Sequence, residues 1–158
     1  MRVIELSLTL SDSDDPRTIP LSVETRNVPL TLAGKPCRAL IHDFHFGSMC
    51  GTYIDFPGHI VETDNGVDAA NSPPAAFYRL PAACIRLDRD GGSGAVIAAD
   101  LQAALSSGPP FRALIVNALG HRRFDSIEAR SVFLSRDAVD WIVALGVRLL
   151  ISDVYESR

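Results

Sequence analysis

The sequence predicts an α/β fold, and three neighbouring segments carry the prediction. Ala113-Leu114-Ile115-Val116 is an unbroken apolar run, as expected of a strand buried on both faces in a parallel sheet. Ser135 then stands as a helix cap ahead of Val139, Ile142, Val143 and Leu145, expected on one face, and Gly146 ends that helix. Val147 to Ile151 returns as a second buried strand. Strand, helix, strand in this order implies a right-handed parallel crossover, hence an α/β or mixed α+β arrangement: a mixed sheet with flanking helices.

The remaining elements follow from pattern and punctuation. Arg2 to Leu10 places Val3, Leu6, Leu8 and Leu10 among Ser and Thr, which suits a strand, and Asp12 to Pro16 breaks it. Ser22 to Leu32 and Cys37 to Phe46 read as two further strands. Gly47-Ser48 and Gly51 imply a tight turn, after which Thr52 to Phe56 is strand-like until Pro57-Gly58 stops it. Glu62 to Pro74, rich in Asp, Asn, Gly and Pro, is expected to fold over the preceding strip as a lid. Ala82 to Leu87 and Gly94 to Ala98 suit strands around the turn Asp90-Gly91-Gly92, and Ala99 to Leu105 suits a short helix stopped by Gly108-Pro109-Pro110. The chain stops at Ser152 to Arg158, directly after a buried strand. α/β sheets put ligands at such strand ends, so further sequence or a partner is expected there.

Composition narrows the function classes. At 158 residues the chain is the size of one ordinary domain, and 47% hydrophobic with 22% charged residues is a globular balance. No apolar run reaches the roughly 18 residues of a membrane span. A net charge of −4 with mixed signs gives no basic stripe for nucleic acid and no polybasic patch for lipid. The N-terminus lacks a secretory pattern. Three cysteines, Cys37, Cys50 and Cys84, show no CxxC spacing, so reduced thiols in the cytoplasm are the expectation.

Chemistry concentrates between Cys50 and His59, where a thiol (Cys50), a phenol (Tyr53), a carboxylate (Asp55) and an imidazole (His59) fall within ten residues. On a strand, Tyr53 and Asp55 share a face, and Pro57-Gly58 would turn His59 back towards them. Carboxylate beside imidazole serves a metal ligand with a proton shuttle, or a base oriented by an acid. The plain structural alternative is a turn-capping Asp55 and a hydrogen-bonded His59. His42 and His45, three apart, point to opposite faces of a strand. Cys50 is either a soft ligand or nucleophile, or a small buried residue. His121, in Gly120-His121-Arg122-Arg123, follows a buried strand, and Asp153, Tyr155 and Glu156 follow another.

Gly51-Thr52-Tyr53-Ile54-Asp55-Phe56-Pro57-Gly58-His59 resembles the signature Gly-Thr-His-x-Asp-x-Pro-x-His of the cyclase family, which includes bacterial kynurenine formamidases and isatin hydrolases. Val3-Ile4-Glu5-Leu6-Ser7-Leu8-Thr9-Leu10 resembles that family's opening, and Leu134-Ser135 through Gly146-Val147 resembles its capped helix. The resemblance implies a swivelling β/β/α fold, a homo-oligomer, and a hydrolase of N-formyl or cyclic amides such as those of tryptophan catabolism. It also implies a divalent cation, Zn²⁺ or Mn²⁺. It assigns Asp55 to the metal and His59 to acid–base catalysis, while Met49 and Tyr53 stand where the family has metal-binding His. A thioether is a soft, weak ligand and a phenol must lose a proton to bind well, so His45 and Cys50 become the nearby substitutes. The family's remaining His and Glu come from beyond the position of Arg158. Tyr53, Phe56, His121 and Asp153 are the candidates for contact with a small-molecule substrate. Two readings follow: an arylformamidase-like metal-dependent hydrolase, or a catalytically degenerate, metal-free member that binds a small molecule or forms oligomers.

Overall fold

The computed structural model describes residues 21–47, 52–89, 93–106, 108, 110–121, 131–154 and 156–157. The chain divides into two compact units, Met1–Asn71 and Ser72–Arg158. The expected strand Arg2 to Leu10, the turn at Asp90 to Gly92, and Met49, Cys50, Gly51 and Tyr155 lie outside the described residues.

The first unit contains an antiparallel hairpin of β1 (Ser22–Leu32) and β2 (Lys35–His45), paired in register from Ser22 with His45 to Leu32 with Lys35. Two strands were expected here, over Ser22 to Leu32 and Cys37 to Phe46. Ala33 and Gly34 connect them with φ of 49° and 76°. Two left-handed residues are what a two-residue turn needs to match the twist of its strands, and Gly34 adopts that conformation without strain. Side chains reinforce the ladder: Arg26 Nε donates to Asp43 Oδ2 at 2.6 Å, and Thr25 Oγ1 lies 3.0 Å from His42 Nδ1. Arg26 thereby holds the Asp43 carboxyl below its ordinary range.

The second unit is α/β. β3 (Ala82–Arg86), β5 (Ala113–Asn117) and β7 (Leu149–Ser152) form one parallel sheet in the order β3-β5-β7. A second parallel sheet has the order β4-β6-β8, built from β4 (Ser93–Val96), β6 (Ser131–Leu134) and β8 (Glu156–Ser157). Helices α1 (Ala98–Ala104) and α2 (Arg136–Ala144) complete the unit. Ile85, Leu114 and Val116 from the first sheet, Val96, Val132 and Leu134 from the second, and Leu101 and Ile142 from the helices form one continuous core. Burying each such side chain contributes about 1.5–3 kcal/mol, so this cluster is what holds the unit together.

The helix starts are tied to each other. Ser135 caps α2 and its hydroxyl lies 2.5 Å from Asp137 Oδ1, while Asp137 Oδ2 accepts a hydrogen bond from Ala98 N at 2.9 Å at the first residue of α1. These contacts, the Ser135 hydroxyl first, push the Asp137 carboxyl below its ordinary value. At α1, Asp100 Oδ2 accepts from Ile97 N at 3.1 Å and pairs with Arg89 Nη2 at 2.5 Å.

The α/β class stands as expected, and three finer expectations need correction. Thr52 to Phe56 has strand-forming residues but no strand partner among the described residues, and its backbone is irregular. Val143 is 71% exposed, so it does not share the buried face of α2, which Ala138 and Ile142 lead. Among the described residues, antiparallel pairing lies in the hairpin sheet and parallel pairing in the two sheets of the second unit. β5 and β7 are parallel neighbours as expected, yet α2 is entered from β6, a strand of the other sheet.

Candidate active-site strip

After the irregular residues 52–56 the chain makes two successive 3-10 turns, Pro57–His59 and Val61–Thr63. Pro57 supplies the fixed φ that starts the first turn, and His59 N donates back to Phe56 O at 2.9 Å. This turn, not a strand, brings the two motif residues together: His59 Nδ1 lies 3.7 Å from Asp55 Oδ1. That separation is within ion-pair reach and slightly beyond a hydrogen bond. The His59 and Asp55 side chains are 41% and 52% exposed, so water screens the pair and its contribution to stability is at most about 1 kcal/mol. Tyr53 is exposed and engaged in a contact of its own, and Phe56 is half-buried.

The polar segment that follows returns to this turn. Thr63 Oγ1 donates to Pro57 O at 2.6 Å, and a Cβ on Gly58 would meet Asp64 Oδ1 at 3.1 Å. The carboxylate of Asp64 therefore rests against the Pro57-Gly58 backbone, a neighbour the sequence reading did not single out. Asp64 Oδ1 accepts from Gly66 N at 2.8 Å, and Asp68 Oδ1 from Ala70 N and Asn71 N at 2.8 and 2.9 Å. These Asx turns fix the loop by its own side chains, as Asp and Asn do where no regular ladder is available.

The histidines before the motif fall on opposite faces of the hairpin as expected: His42 pairs with Thr25, and His45 with Ser22. Met49 and Cys50 lie outside the described residues. In the second unit, His121 Nε2 is 2.6 Å from Arg86 Nη2, and Arg86 Nε donates to Asp88 Oδ1 at 2.9 Å. Asp153 leaves β7 and braces the exit of β5. Its carboxylate accepts from Ala118 N (2.7 Å), Leu119 N (3.1 Å) and Asn117 Nδ2 (2.7 Å). Gly120 follows with φ +61°, and a Cβ there would lie 2.8 Å from the Asp88 backbone, so only glycine fits. Arg86, Asp88 and Asn117 carry no motif in the sequence; parallel pairing alone assembles them at one sheet end. Two hollows in this unit, of about 430 Å³ beside Arg89 and Asp100 and about 280 Å³ between α2 and β7, border none of the candidate site residues.

The donor set decides how well a divalent cation fits. Among the described residues no three His, Cys, Asp or Glu side chains gather as a metal site. Asp55 and His59 offer two donors, and Tyr53 adds only a phenol. A four-coordinate Zn²⁺ site, or a Mn²⁺ site with more oxygen ligands, asks for more donors than the described residues of this strip supply. By themselves the described residues do not complete the metal site that the motif implies. No described helix is long and apolar enough to cross a membrane.

Comparison with curated proteins and with solved structures gives no significant match. The family model described as "Putative cyclase" matches residues 4–157, nearly the whole chain, and its span includes both the Asp55–His59 strip and the α/β unit. The chain belongs to the cyclase family.

Proposed function

We propose that this cyclase-family chain hydrolyses small amides, N-formyl or cyclic, with Asp55 and His59 as its acid–base couple. The observation that supports this reading is the 3.7 Å approach of His59 Nδ1 to Asp55 Oδ1 at the end of the family's motif. The carboxylate orients the imidazole and stabilises it once protonated. His59 takes a proton from water as the water oxygen bonds to the amide carbon, then delivers it to the nitrogen as the C–N bond breaks. The products are a carboxylic acid, formic acid from a formamide, and an amine. Such catalytic couples often tighten only when substrate binds, so the present separation suits the role. General acid–base catalysis alone supplies about 10²–10⁴-fold, so turnover is expected to be slow.

A second reading, a non-catalytic member that binds a small molecule, is favoured by Tyr53 and Met49 at the positions of metal-binding His. Formate release from an N-formyl arylamine, measured with added Zn²⁺, with added Mn²⁺ and with a chelator, separates the two. Slow, chelator-resistant turnover that His59→Ala lowers about 100-fold is the expected result. Chelator-sensitive turnover with near-stoichiometric metal would replace the couple with a metal mechanism, and no turnover in any condition would leave the second reading.

A further inference from the structure

Asparagine has a reaction of its own, and one of the chain's four asparagines is placed for it. The peptide nitrogen of the following residue attacks the side-chain carbonyl carbon, Cγ, so the reaction depends on what that residue carries and on how the two groups are held. Asn27 precedes Val28 inside β1, Asn71 precedes Ser72, and Asn117 precedes Ala118 with its amide donated to Asp153. Asn65 precedes Gly66, where no side chain obstructs the approach and nothing stands within 4 Å of the place a Cβ would take. Both residues are exposed, so water reaches them.

Local hydrogen bonds prepare both reacting groups. Val67 N donates to Asn65 Oδ1 at 3.1 Å, which draws electron density from Cγ and folds the side chain over its own backbone as an Asx turn. Gly66 N donates to Asp64 Oδ1 at 2.8 Å, so the attacking nitrogen already directs its proton at a carboxylate. Asn71 Nδ2 donates to Gly66 O at 2.5 Å and holds the same residue from its other side. Asp64 is fixed in turn: its own nitrogen donates to Val61 O at 3.3 Å, and its carboxylate rests against Gly58. Base, electrophile and nucleophile thus come from three consecutive residues, held by the loop's own side chains.

We propose that Asn65 is a site of spontaneous deamidation, with Asp64 as the base. As Gly66 N bonds to Asn65 Cγ, its proton passes to Asp64 and on to the departing nitrogen; the Cγ–Nδ2 bond breaks, ammonia leaves, and a cyclic imide remains. Water then opens the ring at either carbonyl. Opening at Cγ gives aspartate, and opening at the main-chain carbonyl gives isoaspartate, whose backbone is one methylene longer. Nothing is oxidised or reduced, and solvent water is the co-reactant. Either product adds a negative charge beside Asp64, which leans on the Pro57-Gly58 turn. The modification therefore alters the loop next to the Asp55–His59 strip, and it does not depend on the function proposed for that strip.

Incubating the full chain at mildly alkaline pH, folded and in urea, tests the proposal by intact mass and peptide mapping. The peptide that holds Asn65 and Gly66 should gain the mass of an amide turned to an acid and split into two products, with the folded chain converting at least as fast as the unfolded one. Asp64→Ala should slow the folded chain about tenfold, the worth of one charge-assisted hydrogen bond, and leave the rate in urea unchanged. Circular dichroism of the variant reports that the fold is intact. A folded chain that keeps its mass while the unfolded one converts overturns the proposal. So does a folded rate indifferent to Asp64→Ala.

Discussion

Asp55 and Asp153 are both carboxylates singled out by the sequence, yet the fold treats them in opposite ways. Asp153 accepts three hydrogen bonds from the exit of β5 and is committed to bracing the sheet end. Asp55 is half exposed, with His59 at 3.7 Å as its ionic neighbour. A carboxylate whose lone pairs are filled by backbone N–H groups stabilises the structure but has little capacity left for a substrate. One held loosely beside an imidazole gives little stability and keeps its chemistry free. The contrast separates scaffold from reactive group more sharply than residue type does.

Substitutions can break this contrast, beginning with the largest effect. Asp153→Ala strands two backbone donors and an amide in a part-buried site, and should lower unfolding free energy by about 3 kcal/mol in a denaturant titration. Gly120→Ala forces a Cβ against the Asp88 backbone at a left-handed position, and should cost about 1–3 kcal/mol in the same titration. Asp55→Ala should change stability by less than about 0.5 kcal/mol while reducing amide turnover, so a loss comparable to that of Asp153→Ala would erase the distinction. The smallest effect is a pH dependence. Asp137 has its folded carboxyl held below the ordinary 3.8, so it adds stability above about pH 4 and loses it as pH falls through the depressed folded value. Melting temperatures of the wild type and Asp137→Asn should therefore converge as the pH is taken well below 4.

Much of this could be read from the chain because local pattern and final contact agree there. The two hairpin strands carry strand-forming apolar residues, Ala113 to Val116 is apolar throughout, and Ser135 and Gly146 bracket α2. The errors arise where distant pairing decides. Ser131 to Leu134 is only four residues long, and pairing with β4 makes it a strand. Thr52 to Phe56 has the residues of a strand but no neighbour to pair with among the described residues. In α2 the misplaced residue is a matter of angle. With Ala138 at zero, Ile142 lies at about 40° and Leu145 at about 340°, whereas Val143 lies at about 140° and turns outward. Ala138 was overlooked because it is small, although it is fully buried. At the candidate site, Asp55 and His59 were legible from the motif. Asp64 was not, because its approach to Gly58 depends on how the following turns fold back.

One carboxylate in the second unit also has a kinetic consequence. Asp137 contacts both the Ser135 hydroxyl at the start of α2 and the Ala98 amide at the start of α1, so neither helix can fray at its first turn without disturbing the other. Local opening of the two should be a joint event: amide protons near Ala98 and Ala138 would exchange with solvent at matched rates, and Asp137→Asn would let those rates drift apart.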